Sequence, residues 1–147
     1  MFKKILIATD GSKLSRKAIV SGTRIAASMG ASVVGFHVRP PYPMVYYGEP
    51  VMVDVVPPAT YERESKKTAG RYLAEVADLA AKAHVQAKLA NVSDPSPADA
   101  IIKAARREKC DLIVMAAHGR RGIARLLLGS ETNRVLTHSK IPVLVVR

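Results

Sequence analysis

At 147 residues, 48% of them hydrophobic, the chain is long enough to fold as one domain spanning 1–147 around a core of its own. Its single cysteine, Cys110, excludes an internal disulfide framework and fits a reducing compartment; no run approaches the roughly 18–20 apolar residues of a membrane span, and Ile5–Ala8 is too short for a signal core, so a cytoplasmic protein without a membrane partner is expected. The formal net charge of +11 permits polyanion binding, yet the cations lie at helical spacing in Lys13–Lys17, Lys66–Arg71, Lys103–Lys109 and Arg120–Arg125, and aromatic residues are too few for stacking platforms, so nucleic acid is not the expected partner.

Lys4–Thr9 is an Ile-rich run ending at Asp10-Gly11-Ser12, the pattern of a buried parallel strand and turn. Ala18, Ile19, Gly22, Ile25, Ala26 and Met29 recur at three- and four-residue steps, which predicts one apolar helix face, with Gly30 at a left-handed C-cap. Ser32–Val38 reads as a second strand. Arg39–Pro58 carries six prolines and is predicted to be a long loop; Tyr42, Tyr46 and Tyr47 give it aromatic content for folding back on the body or on a partner.

Ala69, Tyr72, Leu73, Val76, Leu79, Ala80 and Ala83 mark a second helix. Val85–Val92 is a weaker, partly alternating strand of the kind found at a sheet edge. Ser96-Pro97-x-Asp99 supplies a cap residue, a proline at the first helical position and a first-turn acid; Ile101, Ile102 and Ala105 follow on the core face of a third helix. Asp111–Ala116 is the fourth strand, with Cys110 a core residue at its start. Ser130–Ser139 is a short fourth helix and Pro142–Val146 a wholly apolar fifth strand.

Regular alternation of strands and helices predicts a parallel sheet with helices on both faces. Ligands of such sheets bind beyond the carboxyl ends of the strands, where strand order reverses. The most informative stretch lies there: Met-Ala-Ala-His-Gly from Met115, nine residues, then Gly129-Ser130. A strand running through a glycine-bearing loop into a helix start gathers backbone N–H groups at the positive end of a helix dipole, which suits phosphate. Within this stretch His118 reads as a positional residue or a general base, Arg120 and Arg121 as phosphate contacts or solvated loop cations, and Ser130 as a helix cap that also meets phosphate. Asp10 reads either as a ligand for ribose or metal or as an Asx-turn residue. His37 reads as a buried, satisfied histidine, and His84 and His138 have no partners at metal spacing.

Four segments together resemble the universal stress protein family along nearly the whole chain: Ile5-Leu-Ile-Ala-Thr-Asp-Gly-Ser12, Gly35-Phe-His-Val38, Asp111-Leu-Ile-Val-Met-Ala-Ala-His-Gly-Arg-Arg-Gly122, and Leu126-Leu-Leu-Gly-Ser130 followed by Ile141-Pro-Val-Leu-Val-Val146. The resemblance implies a Rossmann-like three-layer α/β sandwich, a five-stranded parallel sheet in order 3-2-1-4-5 with four helices. The ATP-binding branch of the family carries Gly-x-x-Gly, nine residues, then Gly-Ser or Gly-Thr. Gly119, the spacer 120–128 and Gly129-Ser130 match, and Ala116 replaces the first glycine. If that position needs φ > 0, the extra Cβ costs roughly 1–2 kcal/mol.

The same resemblance implies ATP, or else AMP or ADP, as ligand. Asp10 would lie near the ribose and near Mg²⁺ or Mn²⁺ carried by the nucleotide. The backbone around Val38 would read adenine beside Ala8, and the triphosphate would rest on Gly119, Arg120, Gly129, Ser130 and Glu131. Thr9, Ala116, His118 and Gly122 complete the expected contact set. The family also pairs through the last strand, which implies a homodimer through Pro142–Val146. The expected function is a nucleotide-binding stress-response or regulatory module with a protein partner of unstated kind. A slow ATPase and a member working only through protein contacts are the alternatives. Against an enzyme stand the missing Walker lysine after Gly129-Ser130, the missing carboxylate pair and the missing His-x-Gly-His; a dinucleotide site would need Gly-x-Gly-x-x-Gly after the first strand, and a phospho-receiver a second acid beside Asp10.

Overall fold

A computed structural model describes residues 1–43, 56–120 and 127–147. Nine elements alternate along it: β1 (Lys4–Ala8), α1 (Lys13–Met29), β2 (Ser32–Arg39), α2 (Pro58–Lys82), β3 (Ala87–Ser93), α3 (Pro97–Arg107), β4 (Leu112–Ala116), α4 (Ser130–His138) and β5 (Val143–Val146). All pairings are parallel and the order is β3-β2-β1-β4-β5, the expected one.

Alternate residues of each strand face opposite layers. Leu6, Ala8, Val34, Phe36, Ile113 and Met115 pack against Ile101, Ile102 and Val135 of α3 and α4. Ile5, Ile7, Val33, Leu112 and Val114 pack against Ala18, Ile19, Val76 and Ala80 of α1 and α2. β1 is central, paired with β2 through Ile7↔Gly35 and with β4 through Ile7↔Val114, which explains why Ile5–Ile7 are fully buried. Cys110 lies in the α3-side core, and burial pushes its thiol up to about 11, so it is inert at neutral pH.

Local chemistry sets the ends of the elements. Ser12 caps α1 by accepting from Ser15 N–H at 3.1 Å, and Gly30 closes it at φ 64°, as its composition predicts. Met29 departs from expectation: it is 40% exposed at the last position of α1, although Ala26 one turn earlier is fully buried. The second helix begins eleven residues earlier than its apolar periodicity suggests, with Pro58 at its first position. Residues 58–68 are largely exposed and leave no apolar stripe; buried Arg39 holds them instead, donating to Asn91 Oδ1 at 2.7 Å and to Glu62 Oε2 at 3.2 Å. Of the 39–58 loop, the segment 44–55, with Tyr46 and Tyr47, lies outside the described residues. Tyr42 donates to the Val56 carbonyl at 2.8 Å, and Tyr61 donates to Pro40 O at 3.0 Å, so the two ends of that segment are tied together.

Candidate functional site

Strand order reverses between β1 and β4, and a cavity of about 590 Å³ opens beyond their carboxyl ends. Ala8, Thr9, Asp10, Val38, Ala116, His118, Gly119, Arg120, Gly129, Ser130 and Glu131 all line it. Gly122 and Arg121 lie outside the described residues. The cavity is on the α3 side of the sheet, and its apolar part is made by Ala8, Phe36, Val38, Ile101 and Met115. Phe36, Ile101 and Met115 were legible only as core positions.

The turn after β1 is an Asx-turn: Ser12 N–H donates to Asp10 Oδ1 at 2.9 Å. The other carboxylate oxygen, Oδ2, accepts from Arg120 N–H at 2.9 Å, and Arg120 Nε donates to the Asp10 carbonyl at 2.9 Å. Burial pushes the Asp10 carboxyl up, but the hydrogen bonds from Ser12, Ser15 and Arg120 together hold it below its ordinary value, so it is ionised at neutral pH. No group of three or more His, Cys, Asp or Glu side chains converges among the described residues.

β4 enters the loop without strain. Ala116 is paired with Val146, and positive φ among the described non-glycine residues is confined to His84 and Lys109. Ala116 thus carries no left-handed penalty, and strand alternation turns its methyl to the α1 side with Leu112 and Val114. Its carbonyl accepts from Thr132 Oγ1 at 2.9 Å, which fixes α4 against the strand end. Gly129 N–H donates to Ala117 O at 2.8 Å. Gly129, and not Ser130, is the N-cap of α4; Ser130 is the first helical residue, so its hydroxyl makes no capping bond. The N–H groups of Ser130, Glu131 and Thr132 have no acceptor among the described residues, as the first turn of a helix requires, and all three residues line the cavity.

Glu131 is engaged elsewhere. Its Oε2 accepts from Ala98 N–H at 2.8 Å and so caps α3 from another helix, leaving only its main chain for a ligand. Ser96 occupies the N-cap position of α3 as expected, but its hydroxyl turns to Asp99 Oδ2 at 2.9 Å. His118 is half-buried, with Nδ1 3.4 Å from the Gly119 carbonyl, the positional role its place in the loop suggests.

His37 points to the opposite face of the sheet from Val38. It is 8% exposed, and its Nδ1 lies 2.7 Å from the Thr9 carbonyl, so the neutral ring carries its proton there and donates it. Burial drives its pKa below the ordinary value; the Thr9 bond and Asp10 oppose this, while Arg39 and Arg120 reinforce it. The unfolded chain then binds the proton more readily. The resulting stability is present above the ordinary value of 6.5 and is lost as pH falls through the folded value. Urea midpoints measured from pH 7.5 down to 5 are expected to fall more steeply in the parent than in His37→Asn, which keeps a donor toward Thr9 without the titration.

A second cavity, of about 400 Å³, lies on the α2 side and adjoins the first, sharing Asp10, His37, Val38, Pro40 and Arg120 with it. Tyr72 of α2 lines it. That ring meets His37 edge-on at 5.2 Å and carries the Arg120 guanidinium 4.9 Å above its centre. Periodicity identified Tyr72 only as a helix-face residue, and nothing local marks its second role.

The universal stress protein family model matches residues 1–147. A universal stress protein of Thermus aquaticus is 35% identical over 147 residues, covering 100% of both chains. The solved structure of a universal stress protein of Methanocaldococcus jannaschii superposes with a TM-score of 0.75 at 26% identity, over 99% of this chain and 96% of the other. A universal stress protein solved in complex with cAMP gives a TM-score of 0.73 at 28% identity, over 99% and 97%.

Proposed function

The chain belongs to the universal stress protein family, and on that premise we propose that it binds an adenine nucleotide in the cavity at the β1/β4 crossover and acts as a regulatory module. One observation carries this reading. A cavity of about 590 Å³ has an apolar slot at one side and, at the other, the N–H groups of Ser130, Glu131 and Thr132, which lack acceptors among the described residues. That volume is in the range of small-molecule sites. The relative with cAMP bound supports an adenine ligand.

In this reading the base lies against Ala8, Phe36 and Val38, the ribose meets Asp10, and the phosphates lie over Gly119, Gly129 and the first turn of α4, where N–H groups and helix dipole act together. Thr9, Ala116 and His118 shape the wall between them. The nucleotide is ATP, with Mg²⁺ or Mn²⁺ held by phosphate oxygens and Asp10. Binding stabilises the occupied form and thereby biases what the protein contacts next. A homodimer forms through Pro142–Val146: β5 pairs only with β4 among the described residues, and Leu144 is 36% exposed.

The test is calorimetric titration of the purified protein with ATP, ADP and AMP, with and without Mg²⁺, after removal of any nucleotide released on denaturation. Saturable binding of one nucleotide per chain, tightest for ATP with Mg²⁺, is the expected result. No heat at millimolar concentration of any of the three would overturn the reading in favour of a member acting through protein contacts. Sedimentation giving only monomer at micromolar concentration would remove the dimer.

A further inference from the structure

Arg120 is bracketed. Its main-chain N–H and its Nε both donate to Asp10, and its guanidinium carbon lies 4.9 Å from the centre of the Tyr72 ring. Tyr72 is itself wedged: a Cβ added to Gly11 would run into its ring, and His37 abuts its face or edge from β2. The ring therefore joins the β1–α1 turn, the end of β2 and the loop after β4. The guanidinium lies over a ring that lines the second cavity and not the first, while Arg120 itself lines both. Its main-chain N–H and Nε stay on Asp10.

We propose that Tyr72 is the positioning residue of Gly119 and Arg120: its ring holds the Arg120 guanidinium and so sets these two residues against Asp10 before a ligand arrives. Its consequence for affinity rests on the adenine-nucleotide reading of the cavity. A loop ordered in advance loses less freedom on binding, so an anchor outside the cavity strengthens what binds inside it. Any aromatic face can carry the guanidinium, whereas an aliphatic side chain of similar bulk cannot. This separates anchoring from simple packing.

The experiment compares Tyr72→Leu, Tyr72→Phe, Arg120→Gln and the Tyr72→Leu/Arg120→Gln pair in two measurements: amide hydrogen exchange of Gly119 and Arg120 in nucleotide-free protein, and ATP affinity. Tyr72→Leu is expected to speed Arg120 exchange and weaken ATP binding by about three- to fivefold, the size of an exposed cation–π contact. Tyr72→Phe restores both, and the double variant is no worse than the worse single one. Parent-like exchange in Tyr72→Leu, or faster exchange with unchanged ATP affinity, overturns the proposal. So does a double variant whose losses add. Faster exchange in a protein whose parent does not bind nucleotide sinks the nucleotide reading while the anchoring stands. Should Tyr72→Leu fail to fold, Tyr72→Met takes its place, since it keeps comparable bulk without an aromatic face.

Discussion

Gly129→Val is expected to weaken ATP binding by roughly 10- to 100-fold, with the fold retained. A Cβ on Gly129 would stand 3.1 Å from His118 Cα and 3.4 Å from the Ala117 carbonyl, both main-chain atoms that cannot rotate away. The backbone here has φ −60°, ordinary for any residue, so the glycine is needed for close approach and not for its conformation. Alanine can be absorbed by a shift of a few tenths of an ångström, but the two further methyl groups of valine cannot. Overpacking of this kind costs about 1–3 kcal/mol. It is relieved by moving the first turn of α4 away from β4, which moves the Ser130–Thr132 N–H groups off the ligand, so most of it is read as lost affinity, at a factor of ten per 1.4 kcal/mol. Gly119→Val should act through a different atom: its Cβ would lie 2.8 Å from Asp10 Oδ2, which Arg120 N–H already engages. Gly70→Ala, in an open stretch of α2 with nothing near the new methyl, is the control and should leave affinity unchanged. Calorimetric titration of the four proteins, beside their thermal midpoints, decides the matter; a Gly129→Val protein binding like the parent would remove α4 from the site.

Gly11→Ala is expected to be the most destabilising small substitution, by roughly 2–5 kcal/mol. Gly11 has φ +76°, where a side chain costs about 1–2 kcal/mol. The new methyl would also collide with the ring of Tyr72, and pushing that ring aside adds a packing cost of about 1–3 kcal/mol. Gly30→Ala isolates the first contribution: φ there is +64°, but no atom lies within 4 Å of the new Cβ. The difference between the two variants in urea unfolding therefore measures the Tyr72 contact alone. Equal losses would mean that the ring yields freely and that the turn after β1 is not braced by α2.

The sheet and its order were legible because each strand is short, apolar and followed by a helix-period segment, so local pattern and global layering agree. The cavity was legible where glycines mark it: a Cβ at Gly129 would crowd the main chain of 117–118 and one at Gly119 would crowd Asp10, so the glycine spacing after β4 reads as a motif. Helix 58–68 was not, since Tyr61 and Glu62 are held by Pro40 and Arg39, contacts that leave no periodicity in the helix. The cap of α4 was misjudged by one residue because a serine after a glycine offers two candidates, and only the backbone turn chooses between them. The Asp10–Arg120 and Glu131–Ala98 bonds join residues far apart in the chain, and each partner alone reads as an ordinary turn acid or surface charge. The penalty anticipated at Ala116 disappears because that position is regular strand.

The carboxylate of Glu131 on the first turn of α3 gives the cavity a direction. Two helices begin at its rim, α3 at Pro97 and α4 at Ser130, and each would by itself present a positive end. The Glu131 side chain is committed to Ala98 N–H at the first of these, so the N–H groups at the start of α4 are the ones left without an acceptor among the described residues. On the adenine-nucleotide proposal, the phosphates then lie toward Ser130 and the base toward Ile101. Charge placement, rather than a dedicated contact to every atom, would decide which way round the guest lies.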